Sequence, residues 1–272
     1  MAHYQVKDGE LVEAGAIQIW LESLWLRVAG LAVWVIDKVL LRYLNNRFGR
    51  PILWVIARTL DHFLDTGEVV TLERAKEFID AISVLENSQI TVSPCRCQKA
   101  LRKRKGIYMK CMYVLYGAEA YRRVHRDSSE LTPEEAKTLF EQLHEEGVMH
   151  DFLACMGSKG WLYVICGCER EICCEFKSHQ VAGGLISAGP DIVALDKEMC
   201  IGDGNCVERC HFGANSIVNG SAEVDLAKCY GCGLCVSTCA GGARTMVERK
   251  DYHNRYYPIE LVRKASAHQK AL

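Results

Sequence analysis

Proline is scarce, five in 272 residues, and net charge is almost absent: 33 Lys and Arg against 34 Asp and Glu leave −1. Few prolines in a chain that is 49% hydrophobic point to a helix-rich globular protein with room for two or three small domains. The balanced charge excludes a uniformly basic nucleic-acid binder and an acidic disordered chain. Long apolar runs are missing too. In the most apolar stretch, residues 17–44, the longest uncharged run is Val28 to Ile36, between Arg27 and Asp37. A membrane span needs about 20 apolar residues, and a charge at its centre costs about 2.5–3.5 kcal/mol, so no span is expected. Lys7, Asp8, Glu10 and Glu13 come early and no apolar core follows a basic start, which speaks against a secretory leader and for a cytoplasmic location. P-loop, G-x-G-x-x-G, G-x-S-x-G and H-E-x-x-H motifs are also lacking. No nucleophile, general base or nucleotide pocket emerges, which favours electron relay over substrate chemistry.

What is abundant is cysteine: fifteen, an odd number. In a reducing cytosol, clustered cysteines serve as thiolate metal ligands rather than as a disulfide framework.

The periodicity predicts an α+β chain. Ile17, Leu21, Leu24, Val28, Leu31, Val35 and Val39 recur at helical spacing, so residues 15–47 read as one long helix, broken at Gly49-Arg50-Pro51. Trp25, Leu26, Val33 and Trp34 widen its apolar surface beyond one stripe, as in a helix that meets another protein or a membrane surface. Further helices are expected at 51–64, at 71–86 with Thr71 as N-cap, and at 107–125, with a short strand at 90–92. Thr132-Pro133-Glu134-Glu135 is a capping box opening another helix, closed by Gly147. Residues 148–153 and 161–165 read as a hairpin, and helix, helix, hairpin is the order of a winged-helix unit. A small-residue connector, 181–189, marks a boundary. The expected organisation is a helical docking region at 1–68, a cysteine-rich helix and hairpin domain at 69–180, a third domain at 188–250, and a tail at 251–272.

Residues 193–219 repeat at 222–248 with an offset of 29: Cys200, Cys206 and Cys210 map to Cys229, Cys235 and Cys239, and Gly202 and Gly204 to Gly231 and Gly233. The second copy, Cys229-x2-Cys232-x2-Cys235-x3-Cys239, is the run of bacterial two-cluster ferredoxins. Residues 190–250 therefore resemble the two-[4Fe-4S] ferredoxin domain. That resemblance implies one cluster on Cys229, Cys232, Cys235 and Cys210, the last ligand being exchanged between copies. It implies a second on Cys200, Cys206, Cys239 and, where the family has cysteine, Asp203. A carboxylate is a harder ligand than thiolate, so that corner should hold a labile iron: [4Fe-4S] with Asp203 bound, [3Fe-4S] with it free, or a site that never takes a fourth iron. The proline that usually follows the fourth cysteine is replaced by His211 and Ala240. Zinc sites pair C-x2-C units rather than interleaving two such runs.

Eight cysteines remain: Cys95, Cys97, Cys111, Cys155, Cys166, Cys168, Cys173 and Cys174. Cys95-Arg-Cys97, Cys111-Met-Tyr-Val, Thr132-Pro-Glu-Glu-Ala, Glu146-Gly-Val and Ile165-Cys-Gly-Cys, in that order before a dicluster domain, resemble a family of anaerobe iron–sulfur proteins. There the last cluster is denser in cysteine; here Glu169-Arg-Glu-Ile172 interrupts it. A first assignment puts one site on Cys95, Cys97 and Cys111 and another on Cys166, Cys168, Cys173 and Cys174. C-x-C and C-C spacings are too tight for ordinary loop ligation, so an unusual cluster, or cysteines divided between clusters, is the alternative. Zinc competes with one or two further iron–sulfur clusters for these ligands. Cys155 reads as a buried free thiol. Arg96, Lys99, Arg102, Lys103, Arg104, Lys105 and Lys110 form a run without an acid, able to offset cluster charge or steer an acidic redox partner.

These readings converge on an iron–sulfur electron-transfer protein or subunit. It would pass electrons through two ferredoxin clusters and the middle site to or from a larger oxidoreductase, docked through the N-terminal helices. A homodimer, or a membrane surface under those helices, is the lesser option, and no nucleic acid is expected. Two alternatives stand beside it: a reductase with an open iron in the middle site, and an iron–sulfur redox-sensing regulator.

Overall fold

The computed structural model describes residues 4–7, 10–60, 66–85, 88–154 and 162–253. A hairpin, β1 (Tyr4–Lys7) and β2 (Glu10–Glu13), precedes helix α1 (Ala16–Val35). A π-helical turn, Ile36–Leu40, carries α1 into α2 (Leu41–Leu44), and α3 (Gly49–Leu60) follows. The break falls at Asn46, whose Oδ1 accepts from Phe48 N and Gly49 N at 3.1 and 2.9 Å. That cap starts α3 two residues before Pro51, the expected beginning; the expected end of this helix, 61–64, lies outside the described residues. Next come β3 (Thr66–Val70), α4 (Leu72–Ser83), β4 (Ile90–Pro94), α5 (Arg96–Leu101), β5 (Met109–Val114), α6 (Tyr116–Val124), β6 (Ser129–Leu131) and α7 (Pro133–Glu145). The hairpin β7 (Met149–Ala154) and β8 (Leu162–Cys168), helix α8 (Cys174–Ala182) and β9 (Ile186–Ser187) complete this part.

The strands form one nine-stranded sheet with the path β6-β4-β5-β8-β7-β3-β9, the β1–β2 hairpin joining at β8. Helices α4 and α7 cover one face. Thr71 caps α4 by accepting from Arg74 N at 3.2 Å, and Ala75, Phe78, Ile79 and Ile82 at helical spacing turn onto Val92, Met112, Phe152 and Ile165. Each of the fully buried phenylalanines Phe78, Phe140 and Phe152 contributes about 1.5–3 kcal/mol of transfer free energy. The capping box of α7 is present: Thr132 Oγ1 accepts from Glu135 N at 3.3 Å while Thr132 N donates to Glu135 Oε2 at 2.8 Å. Helices α1 and α6 cover the opposite face through Ile19, Leu26, Tyr116 and Tyr121 against Tyr113, Leu153 and Val164.

Three expectations are corrected. Residues 107–125 are not one helix: β5 occupies the first part, and α6 begins only after Leu115, which takes a left-handed φ of 54°. As a central strand, β5 is buried on both faces, Met112 and Val114 on one and Cys111 and Tyr113 on the other, and such a strand reads as a continuous apolar run. The β7–β8 hairpin is not a wing either, because it lies inside the sheet between β5 and β3. The small-residue connector 181–189 is no free linker: Ile186 and Ser187 pair in parallel with Gly67 and Glu68, and a Cβ on Gly189 would meet Val69 O at 1.7 Å.

The C-terminal unit holds β10 (Asp191–Leu195), α9 (Asn205–Glu208), β11 (Asn215–Val218), β12 (Ser221–Val224), α10 (Leu234–Ser237) and β13 (Arg244–Glu248). Strands β10 and β13 pair antiparallel, as do β11 and β12. The repeat is visible in the backbone: Gly202 and Gly231 have φ of 70° and 84°, and Gly204 and Gly233 have 79° and 77°. Only glycine takes these turns without strain.

Candidate functional site

In the C-terminal unit, Cys232 is surrounded by Cys210, Cys229 and Cys235, which act on it through charge at a distance; burial first, and then these neighbours, push its thiol well up. Cys235 is raised in the same way, by burial and then by Cys229 and Cys210. This is the ligand set expected for one cluster, with Cys210 supplied by the other copy. Around the second site Cys206 is raised by burial, with Asp203 and Cys200 among its neighbours. Backbone amides converge on the sulfurs: Ala214 N donates to Cys210 Sγ at 3.2 Å and Ala222 N to Cys200 Sγ at 3.3 Å. Those amides favour the thiolate, and Cys200 is lowered by Ala222 and Gly202. Cys239 is half-buried just beyond α10. Four separated thiols at the first site, with amides aimed at sulfur at both sites, are a donor set suited to a cubane cluster. Residues 192–240 match the 4Fe-4S dicluster domain. No curated protein and no solved structure matches this chain.

The dicluster domain is an iron–sulfur electron-transfer unit. Its second site departs from four thiols at Asp203, which is exposed and accepts from Asn205 N at 3.2 Å and Asn205 Nδ2 at 2.9 Å. Between the copies lies a residue that the sequence reading passed over. Arg244 is buried, donates to Cys206 Sγ at 3.2 Å and to Asn215 Oδ1 at 2.9 Å, and Asn215 is its own counterpart at offset 29. His211, the only histidine beside a ferredoxin cysteine, donates from Nε2 to Gly147 O at 2.8 Å and so ties the dicluster domain to the end of α7.

The middle cysteines come from four stretches of chain. An irregularity in the β4–β5 pairing at Ser93 and Pro94 re-aims the chain, as such bulges do, so that Cys95 N donates to Tyr108 O at 2.8 Å and Cys95 becomes the N-cap position of α5. Cys97 lies in the first turn of that helix. Cys111 on β5 is the register partner of Cys166 on β8, and their sulfurs are 3.6 Å apart. Cys168 is two residues on, on the same face of β8. Cys173 caps α8, accepting from Phe176 N at 3.4 Å, with its sulfur 3.4 Å from that of Cys168.

Contacts continue from Cys95 to both Cys111 and Cys97, and from Cys97 to Cys173. Six thiols thus close a ring, in the order Cys95, Cys111, Cys166, Cys168, Cys173, Cys97. The tendency to ionise alternates around it. Cys95 is pushed down to about 3 by Cys111 and then Cys97, Cys166 to about 6 by Cys111 and Cys168, and Cys173 well down by Cys168 and Cys97. Their neighbours Cys97, Cys111 and Cys168 are all driven up by the adjacent sulfurs and by burial. Adjacent sulfurs that close cannot all be anions without cations among them. The two groups expected from the sequence are therefore joined, and Cys174 is outside: its Sγ lies 3.7 Å from Val33 O, and burial raises its thiol to about 12. Cys155 lies outside the described residues.

The ring lines a cavity of ≈ 100 Å³ roofed by Trp25, Ala29, Val33 and Ile36 of the N-terminal helix. Lys110, 1% exposed, borders it and pairs with Glu169. Burial opposes the Lys110 charge, but Glu169 and the Cys95 and Cys111 sulfurs hold its pKa above the usual lysine value. Arg96, also at the cavity, donates to Tyr113 OH at 2.9 Å. Asp151 is fully buried beside Cys168; burial and then Cys173 and Cys166 raise its carboxyl strongly. Lys110 and Glu169 sit next to Cys111 and Cys168 in the sequence, a signal that the sequence reading used only for the basic run. Three of the seven cations of that run pair with acids from elsewhere: Lys99 with Asp127, Lys105 with Glu171, and Lys110 with Glu169. Among the described residues no three His, Cys, Asp or Glu side chains are arranged to hold a single metal ion.

Proposed function

We propose that the chain relays electrons between its dicluster domain and a metal centre at the middle cysteines, as a carrier or subunit serving a larger oxidoreductase. One observation carries this reading. A single buried apolar cluster contains Cys168 and Cys173 of the ring and Leu234 of the dicluster domain, with Cys166, Cys232, Phe212 and Tyr230 packed against it. The cluster site on Cys232 and the ring are thus neighbours across a dry contact. The Phe212 and Tyr230 rings, with centroids 4.1 Å apart, flank it. A low-dielectric, closely packed route of this kind suits electron passage between centres and keeps water from both.

The partner would dock on the N-terminal helices. Ile17, Trp20, Leu24, Leu31, Trp34 and Phe48 are exposed there, together with Arg27, Arg42, Arg47 and Arg50. An apolar face this broad is a binding surface, and its arginines favour an acidic rim on the partner. Among the described residues no helix is long and apolar enough to cross a membrane.

Reductive titration of the anaerobic protein, followed by EPR, tests the relay. Magnetic interaction between the reduced dicluster signal and a third paramagnetic centre is the expected result. Dicluster signals unaltered when the middle cysteines are replaced would refute it.

A further inference from the structure

The geometry points to one polynuclear iron–sulfur centre held by six thiolates, those of Cys95, Cys97, Cys111, Cys166, Cys168 and Cys173, in place of two four-cysteine sites. The inference rests on the relay reading only in taking the metal to be iron.

The closed ring is the first argument. Each of the six sulfurs touches two others, and no division into two groups avoids cutting contacts. Cys95 and Cys97 belong with Cys111 through one side of the ring and with Cys173 through the other. The second argument is number. A structural zinc ion takes four ligands, so a lone zinc would use at most four of the six, and no single-ion site is present among the described residues. A cubane takes four cysteines, so it would leave two of these six idle. A centre of more than four irons uses them all.

The third argument is charge. Six thiolates at one place need cations, and beside the metal itself the wall supplies the guanidinium of Arg96 and the buried Lys110–Glu169 ion pair. Asp151, against Cys168, brings a carboxyl oxygen 3.9 Å from that sulfur. Cys174 serves as the internal control. It is adjacent to Cys173 in the chain and lines the same cavity, yet its sulfur turns to Val33 O on the roof.

The test uses the full chain, purified and reconstituted without oxygen, with iron, sulfide and zinc measured per chain and Mössbauer and EPR spectra recorded. The dicluster domain accounts for about seven to eight irons. The wild type should exceed this by more than four, with no zinc. Cys→Ala at any of the six ring positions should remove that excess as a block, leaving the dicluster signals present but without their magnetic interaction with a third centre, and Cys174→Ala should keep it. The inference is overturned if replacements at Cys95, Cys97 and Cys111 remove one fraction and those at Cys166, Cys168 and Cys173 another. It is equally overturned if Cys174→Ala costs as much iron as its neighbour, if the excess is four irons, or if zinc fills the site. Should a variant fail to fold, the wild-type iron count and Mössbauer spectrum decide alone. Intact dicluster signals beside a zinc-filled or empty ring would strike this centre only. Absent dicluster signals would strike the electron-transfer reading itself.

Discussion

Asp203 is the residue at which the repeat is least symmetric. Its carboxylate is exposed and held by Asn205, at the place where the second copy carries the half-buried thiol of Cys232. A carboxylate holds iron weakly beside thiolates, so air exposure should convert this site to a three-iron form with its own EPR signal. Asp203→Cys should abolish that signal and raise the iron count by about one, the fourth corner of the cube; an unchanged signal would mean that the corner is lost for another reason. His150 offers a different experiment. It is fully buried under α7, and both ring nitrogens lack a hydrogen-bond partner among the described residues. Burial, with a smaller push from His144, drives its pKa down to about 3. Above the unfolded value of about 6.5 the ring is neutral in both states, so proton binding adds nothing to the cost of burying its two unpaired nitrogens. As pH falls from there toward 3 the unfolded chain binds a proton that the folded one refuses, and stability is lost. His150→Leu should therefore be more stable than the wild type, by a margin that widens between pH 7 and pH 5 in urea unfolding; a constant margin would refute the assignment.

At the scale of elements, the N-caps are the devices whose worth is easiest to measure. Thr132→Ala removes the reciprocal bonds with Glu135 that open α7 and should cost about 1 kcal/mol, read as a lower urea midpoint with unchanged iron content. This cap and that of α4 were legible in the sequence because capping is local chemistry at fixed spacing. The dicluster domain was legible for the same reason: its cysteines and glycines lie in two short runs whose spacing is itself the site. The strand β5 was not. Its apolar residues satisfy helical and extended spacing equally over so short a stretch, and only burial between β4 and β8 decides. The ring of thiols was half legible. Cysteine counting found all six members, but which sulfurs meet depends on the pairing of Cys111 with Cys166, and register between strands far apart in the chain is not written in local spacing. Arg244 escaped because a lone arginine among cysteines carries no periodic signal.

For the whole molecule, the proposed relay would depend on how firmly the dicluster domain is seated on the sheet. Arg74 on α4 grips Asp191 with two bonds of 3.1 Å, Arg209 donates to the carbonyls of His144 and Glu145, and His144 meets Ser237 at 2.9 Å. Arg74→Ala leaves a nearly buried carboxylate with its main cation gone, at a cost of about 3 kcal/mol. It should slow electron exchange between the dicluster domain and the ring in freeze-quench EPR while leaving iron content intact. Equal rates in the two proteins would show that the seating does not matter. The two kinds of site also differ in when they can come into being. Every dicluster ligand lies within residues 200–239, so that unit can gather its inorganic core as soon as those residues are made. The ring has no such shortcut: β5 and β8 must have zipped, and the turns at Cys95 and Cys173 must have closed, before six sulfurs face one another. The roof above them belongs to the earliest synthesised helix, which must settle over the ring last if metal is to enter from that side. Were metal to enter from that side, the chain's own topology would order its maturation, with the N-terminal helix settling last over an already assembled vessel.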